Sequence, residues 1–253
     1  MVYVGSKSRL APIFVPMFNN LIKDLNINTY IEPFVGGANI FDKIICENKY
    51  GYDKSKTLIA LFNQGLNDID VIPEEGSRAW WDKAKAEYKE EIPQTLEDWE
   101  IGAIQFFASF GTRGFPGGYA NNKHNKDYYN ERYRNFKKQI KLLKQTGGVF
   151  INRSYLDVEI PEGSLVYCDP PYAGTKPYGY AFENDFSHSD YWNWVRNISK
   201  NNYVICSEEQ CPEDFEIVWS GELNRLVHSD NNYKGNEILC IYNNGLLRND
   251  MLK

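Results

Sequence analysis

The stretch TYIEPFVGGANIF, residues 29–41, decides how the rest of the chain is read. Its first four residues suit a strand, and Pro33 ends that strand because proline cannot donate to a sheet ladder. Gly36-Gly37 then supply a turn, and a helix is expected from about Asn39 to Glu47. YGYD (50–53) reads as a second short strand ending at Asp53, and KSKTLIALFNQGL (54–66) as a second helix. This β-α-β-α opening signals a parallel sheet with crossover helices. Upstream, SRLAPIFVPMFNNLI (8–22) reads as a helix interrupted near Pro16. A glycine turn lets backbone approach a ligand closely, and an acid ending the next strand can accept both hydroxyls of a ribose. Glu32 to Gly37 with Asp53 is therefore the first candidate site. The dinucleotide fingerprint G-x-G-x-x-G is absent, since Ala38 follows the two glycines.

Beyond residue 70 the pattern changes, and no clear buried strand is expected until about residue 150. SRAWWDKAKAEYKEE (77–91) and TLEDWEIGAIQFFASF (95–110) are helix-like, the second with Thr95 as its expected cap. GTRGFPGGYANNKHNK (111–126) reads as a loop. In DYYNERYRNFKKQIKLLK (127–144), Tyr129, Tyr133, Phe136, Ile140 and Leu143 form one stripe at helical spacing, and Gly147-Gly148 stops it. From Arg113 to Arg153 ten Lys/Arg face only Asp127 and Glu131, inside a chain whose net charge is −6. A basic segment in an acidic protein is a localised electrostatic footprint for a polyanion. Strand-rich sequence returns with SLVYCD, NYVICSE, FEIVWSG, LNRLVHS and NEILCIYNN; the last three are expected to be separate strands that include an antiparallel pair.

Composition narrows the class. No apolar run reaches the ~20 residues of a membrane span, and no apolar leader follows the N-terminus, so a cytoplasmic protein without a membrane partner is expected. The five cysteines lack paired C-x-x-C spacing and the three histidines are scattered, so buried thiols and no metal are expected. Aromatics make up 15% of the chain, which suits a core and also stacking on flat ligands.

LVYCDPPYAG (165–174) delivers a carboxylate, a stiff turn and an aromatic ring to the end of a strand. With it, four motifs stand in order: Gly5-Ser6-Lys7, Glu32-Pro33-Phe34-Val35-Gly36, the basic insertion, and Asp169-Pro170-Pro171-Tyr172. In that order they resemble the Dam-like DNA adenine-N6 methyltransferases, including phage-borne members, over nearly the whole chain. Tyr3 stands where many relatives carry Trp, Ser6 where they carry Gly, and the 111–122 loop matches least.

The resemblance implies an α/β fold: a Rossmann-like S-adenosylmethionine-dependent methyltransferase sheet with antiparallel C-terminal strands and an inserted, mainly helical domain. The expected catalytic domain is 1–65 with 155–253, and 66–154 is the target-recognition insertion. Implied cofactor-binding residues are Tyr3, Lys7, Phe34, Gly36, Asp53 and Asp169. Implied catalytic residues are Asp169, Pro170 and Tyr172. For DNA binding the basic insertion offers Arg113, Asn121, Asn122, Arg132, Lys137 and Lys138. S-adenosylmethionine is the implied methyl donor and duplex DNA the partner; the oligomeric state is left open, a monomer being compatible with the reading.

The chemistry follows from the amine. Adenine's exocyclic nitrogen is a poor nucleophile because its lone pair is delocalised into the ring. Asp169 and the Pro170 carbonyl can accept its two hydrogens and direct the lone pair at the methyl group, an effect of positioning and electrostatics. Tyr172 offers a stacking face for a base flipped out of the duplex. N4-cytosine methylation uses the same logic, though Asp at 169 and the motif order favour adenine. RNA as substrate and a catalytically silent DNA-binding relative are the other readings.

Overall fold

A computed structural model describes residues 1, 3, 5–111, 114–120, 127–172, 186–226 and 232–252, the side chains of 223–226 and 232–234 excepted. Seven strands form one sheet: β1 (Thr29–Glu32), β2 (Asn48–Asp53), β3 (Val149–Asn152), β4 (Leu165–Cys168), β5 (Tyr203–Glu208), β6 (Phe215–Leu226) and β7 (Asn232–Tyr242). Their order is β3-β2-β1-β4-β5-β7-β6. The first five run parallel, while β7 is antiparallel to both β5 and β6. The expected α/β class with antiparallel C-terminal strands is what the sheet shows.

The strand order reverses beside β1. From β1 the chain moves outward through β2 to β3, then returns to place β4 on the other side of β1. Such a switch point opens a crevice at the carboxyl ends of the strands, where ligands of open α/β sheets bind. Glu32-Pro33-Phe34 leaves β1 there, Asp53 ends β2 there, and Asp169 follows β4 there.

Alternation along the strands divides the core between two faces. Tyr30, Leu165, Tyr167, Ile205, Leu239 and Ile241 share one cluster with α1 (Ala11–Asp24), α2 (Lys56–Asn67), α4 (Asp98–Phe107) and α5 (Tyr128–Thr146). Ile31, Val166, Cys168, Val204, Cys206 and Cys240 pack on the other face against Tyr191 and Val195 of α6 (His188–Ile198). A further helix, α3 (Arg78–Tyr88), contributes Trp81 to the first cluster. Cys168, Cys206 and Cys240 are buried, Cys46 and Cys211 half-buried, and all five are free thiols.

Several local expectations change. The helix expected over 39–47 is only a short 3₁₀ turn, Phe41–Lys43, entered through Ala38 at a φ of 54° that helix cannot use. Helix α1 runs through Pro16, because Phe14, Phe18 and Leu21 are buried on both sides of it. That burial offsets the ~3 kcal/mol an internal proline costs. Thr95 does not cap α4: Glu97 and Glu100 form a reciprocal capping box, and Thr95 donates to Glu87 instead. The segments FEIVWSG and the start of LNRLVHS are one strand, β6, with a register shift between Ile217 and Trp219.

The segment Val149–Asn152, expected inside the 66–154 insertion, is the edge strand β3 of the sheet. The α5 stripe is buried as expected, and it packs with α4 against α2, so these helices share a core with the sheet. Contact between α4 and α2 is close at Gly102, where an added Cβ would lie 2.3 Å from the Thr57 carbonyl oxygen. Alanine improves helix propensity by about 1 kcal/mol, yet here backbone must move to admit it. Gly102→Ala is expected to destabilise the protein by about 1–3 kcal/mol, read as a lower denaturant midpoint at unchanged slope.

Candidate active site

The first part of the site is built at the ends of β1 and β2. Gly36 has a φ of 45°, and a Cβ there would sit 3.0 Å from Cε1 of the Tyr3 ring. Only glycine satisfies both the turn and the close approach. The Gly36 N–H donates to Asp53 Oδ2 at 3.0 Å and the Ser55 N–H to Oδ1 at 2.9 Å. Burial pushes the Asp53 carboxyl up, and these backbone donors oppose it. Each oxygen takes one backbone N–H and keeps acceptor capacity for a hydroxyl. Phe34 stands in an aromatic group with Tyr155, Phe186 and Tyr191, centroids 5.1, 5.9 and 5.9 Å away. The residues present thus fit a nucleoside: a glycine turn, a fixed carboxylate and flat apolar surface.

The second part lies at the end of β4. The N-terminal segment turns at Gly5, closed by Ser6 N–H donating to the Tyr3 carbonyl, and the 3₁₀ turn Lys7–Arg9 follows. That turn sends Lys7 inward until the side chain is 6% exposed. Its Nζ donates to Asp169 Oδ1 at 2.6 Å and to the Gly5 carbonyl at 3.2 Å, lies 3.6 Å from Glu237 Oε1, and sits 4.7 Å from the centre of the Tyr172 ring. The Tyr172 hydroxyl donates to Glu237, and Ser207 Oγ donates to the same carboxylate oxygen at 2.6 Å. Pro170 is buried beneath the turn.

Burial raises the Asp169 carboxyl to about 6, with Lys7 pulling it down and Glu237 pushing it up. Two further acids end the neighbouring strands. Glu32 is buried and accepts from the Tyr30 hydroxyl at 2.7 Å, and burial pushes its carboxyl well up. Glu208 is pushed up to about 9 by burial, and its Oε1 has no hydrogen-bond partner among the described residues. At neutral pH Glu208 is therefore uncharged, whereas most of Asp169 is ionised.

The structure thus joins Tyr3, Gly36 and Asp53 in one contact set, and Lys7, Asp169 and Tyr172 in another. Sequence reading missed Ser207 and Glu237. Their signal was present: each sits at the inward position of an apolar alternation, Tyr203-Ile205-Ser207 and Glu237-Leu239-Ile241. Among the basic residues, Arg132 is turned inward, with NH1 donating to the carbonyls of Phe106, Phe107 and Ser109 and NH2 to that of Gly111. Lys137 pairs with Asp70 at 2.7 Å, and Lys138 is exposed. Arg113, Asn121 and Asn122 lie outside the described residues.

A parallel sheet reversing beside β1, a glycine turn facing an acid, and an Asp-Pro-Pro-Tyr turn beside a buried lysine define a methyltransferase directed at an exocyclic amine. The family model of D12 class N6 adenine-specific DNA methyltransferases matches residues 3–213. The chain belongs to that family and is an S-adenosylmethionine-dependent enzyme that methylates adenine N6 in DNA. The match does not favour the N4-cytosine or catalytically silent readings. No helix among the described residues is long and apolar enough to cross a membrane.

The Asp169 environment sets a pH dependence. As the proposed amine acceptor Asp169 must be ionised, and kcat/KM reports the groups of the free enzyme. Activity is expected to fall as pH drops through about 6, the value to which burial raises Asp169. An ordinary aspartate would hold activity down to about pH 4. A kcat/KM profile between these values checks it.

Proposed function

We propose that Asp169, Pro170 and Tyr172 hold the target adenine and that Tyr3, Lys7, Phe34, Gly36 and Asp53, with Asp169, hold the cofactor. The convergence of Lys7, Asp169 and Tyr172 at the strand reversal carries this reading. When bound, S-adenosylmethionine supplies an electrophilic methyl group on a sulfonium. Asp53 takes the ribose hydroxyls, while the backbone N–H groups of Gly36 and Ser55 keep its carboxylate oriented. Asp169 accepts one N6 hydrogen and the Pro170 carbonyl the other, turning the lone pair toward the methyl group. The nitrogen would gain the methyl as the carbon–sulfur electron pair stays with sulfur, and the proton it then sheds would leave along its hydrogen bond to Asp169. The flipped base stacks on the Tyr172 face opposite Lys7.

Asp169→Asn replaces an acceptor oxygen with a donor at almost unchanged volume, so methyl transfer is expected to collapse while the fold survives. Tyr172→Ala is expected to cost about 1–3 kcal/mol, the scale of base–aromatic stacking. Fluorescence of 2-aminopurine at the target position should lose its extrusion signal in Tyr172→Ala. Full activity in Asp169→Asn, or an intact signal in Tyr172→Ala, would remove that residue's assigned role.

The substrate is duplex DNA in the cytoplasm, with residues 66–154 supplying most of the contact. Support comes from the exposed cations of α5: Arg134, Lys138 and Lys141 on the side away from its buried stripe, and Lys144 at the stripe's margin. Affinity is expected to fall with salt at a log–log slope of about 0.9 per phosphate contacted. Lys138→Glu or Lys141→Glu should flatten that slope if the lysine meets a phosphate. Parental slopes in both would mean that this face is only solvated.

A further inference from the structure

Glu237 is buried on β7, only 1% exposed, on the strand face that also carries Leu239 and Ile241. A carboxylate at such a position is costly unless paired, and an apolar residue would serve stability alone at least as well. Its partners come from the catalytic end. Ser207 donates to Oε1 at 2.6 Å, the Tyr172 hydroxyl donates to the same oxygen, and Lys7 lies 3.6 Å away. Lys7 is also held by Asp169 at 2.6 Å, so one buried ammonium is shared by two acids.

We propose that Glu237 is a positioning residue for methyl transfer, anchoring Tyr172 by its hydroxyl and dividing Lys7 with Asp169. The proposal rests on the assignment of Asp169 and Tyr172 to the amine site. Pro170 and Pro171 stiffen the backbone before Tyr172, but the ring still turns about its own two side-chain bonds. A hydroxyl anchor at the far end removes that freedom before a base arrives, which is preorganisation of the stacking face. The share of Lys7 taken by Glu237 is withdrawn from Asp169, so Glu237 also tunes how readily Asp169 ionises.

The groups facing Asp169 are Lys7 from the N-terminal segment, Glu32 after β1, Tyr167 and Cys168 of β4, Tyr172 of its own turn, Glu208 of β5 and Glu237 of β7. Of the acids among them, Glu237 is the one that pushes the Asp169 carboxyl up, while Lys7 pulls it down. Replacing Glu237 by a neutral residue therefore removes a negative neighbour and leaves the ammonium to Asp169. Asp169 then stays ionised to lower pH.

The test uses the full chain, S-adenosylmethionine labelled in the methyl group, and duplex DNA of mixed sequence. Glu237→Gln is expected to lower kcat by about tenfold or more, with cofactor affinity by calorimetry within about threefold of the parent. Its acid limb should move to lower pH. Glu237→Asp keeps the charge but withdraws it from the hydroxyl, so kcat should fall while the limb stays in place. In a Tyr172→Phe background, Glu237→Gln should cost clearly less than in the parent, because the contact it breaks is already gone. A Glu237→Gln protein with parental kcat and acid limb, or losses that simply add, would overturn the proposal. Should Glu237→Gln fail to fold, Glu237→Asp decides: parental kcat there overturns it. An active Asp169→Asn control would instead refute the site assignment itself.

Discussion

An ammonium buried at 6% exposure has few places to go, and Lys7 must find its counter-charges inside the protein. A buried charge is tolerated only when paired and hydrogen-bonded. Lys7 meets this condition through Asp169 and Glu237, which come from opposite ends of the later sequence, and through the Gly5 carbonyl of its own turn. One side chain therefore pins the N-terminal segment to β4 and β7 together. That pinning also lays Tyr3 over Gly36, because Tyr3 and Lys7 flank the same turn. The Gly36–Asp53 contact set and the Asp169–Tyr172 contact set share this mechanical link.

The sheet provides the frame in which the link is possible. Reversal of strand order beside β1 puts the ends of β1, β2 and β4 on one rim, so residues separated by more than a hundred positions meet there. β7 enters antiparallel between β5 and β6, which brings Glu237 alongside the far end of β5 and Ser207. An all-parallel continuation would carry a residue at that depth of the strand in the opposite direction. The antiparallel hairpin thus adds the Glu237 carboxylate to a rim where the parallel strands already place Glu32, Asp53, Asp169 and Glu208.

Sequence made local features legible wherever one rule dominated. Pro33 and Pro170 stop β1 and β4 because proline cannot donate to a sheet ladder, and the α5 stripe is buried because five apolar residues fall on one side of it. Asp53, Lys7 and Asp169 were legible from their motifs. Reading failed where distant packing decided. Pro16 stays inside α1 because of burial that only the folded core provides. Residues 39–47 lose their helix to the positive φ at Ala38 and to Asn39, whose side chain reaches back to Ser6 and Met1. Glu237 and Ser207 became recognisable as partners only with the β5–β7 register, a long-range pairing that no local pattern encodes.

Charge counting shows the same limit from another side. The Arg113–Arg153 segment is strongly basic by sum, but the sum treats each cation as surface. Arg132 spends its guanidinium on the carbonyls of Phe106, Phe107, Ser109 and Gly111, the segment where α4 ends and the following loop begins. The Phe106 and Phe107 carbonyls are ones a helix end leaves without intrahelical donors, and a planar fork of N–H groups suits several acceptors at once. Arg132 therefore acts as a clamp on the C-terminal end of α4 and on the residues just after it, as far as Gly111. Lys137 is partly answered by Asp70. Among the described residues of this segment the exposed cations are Arg134, Lys138, Lys141 and Lys144 of α5 and Arg153 after β3.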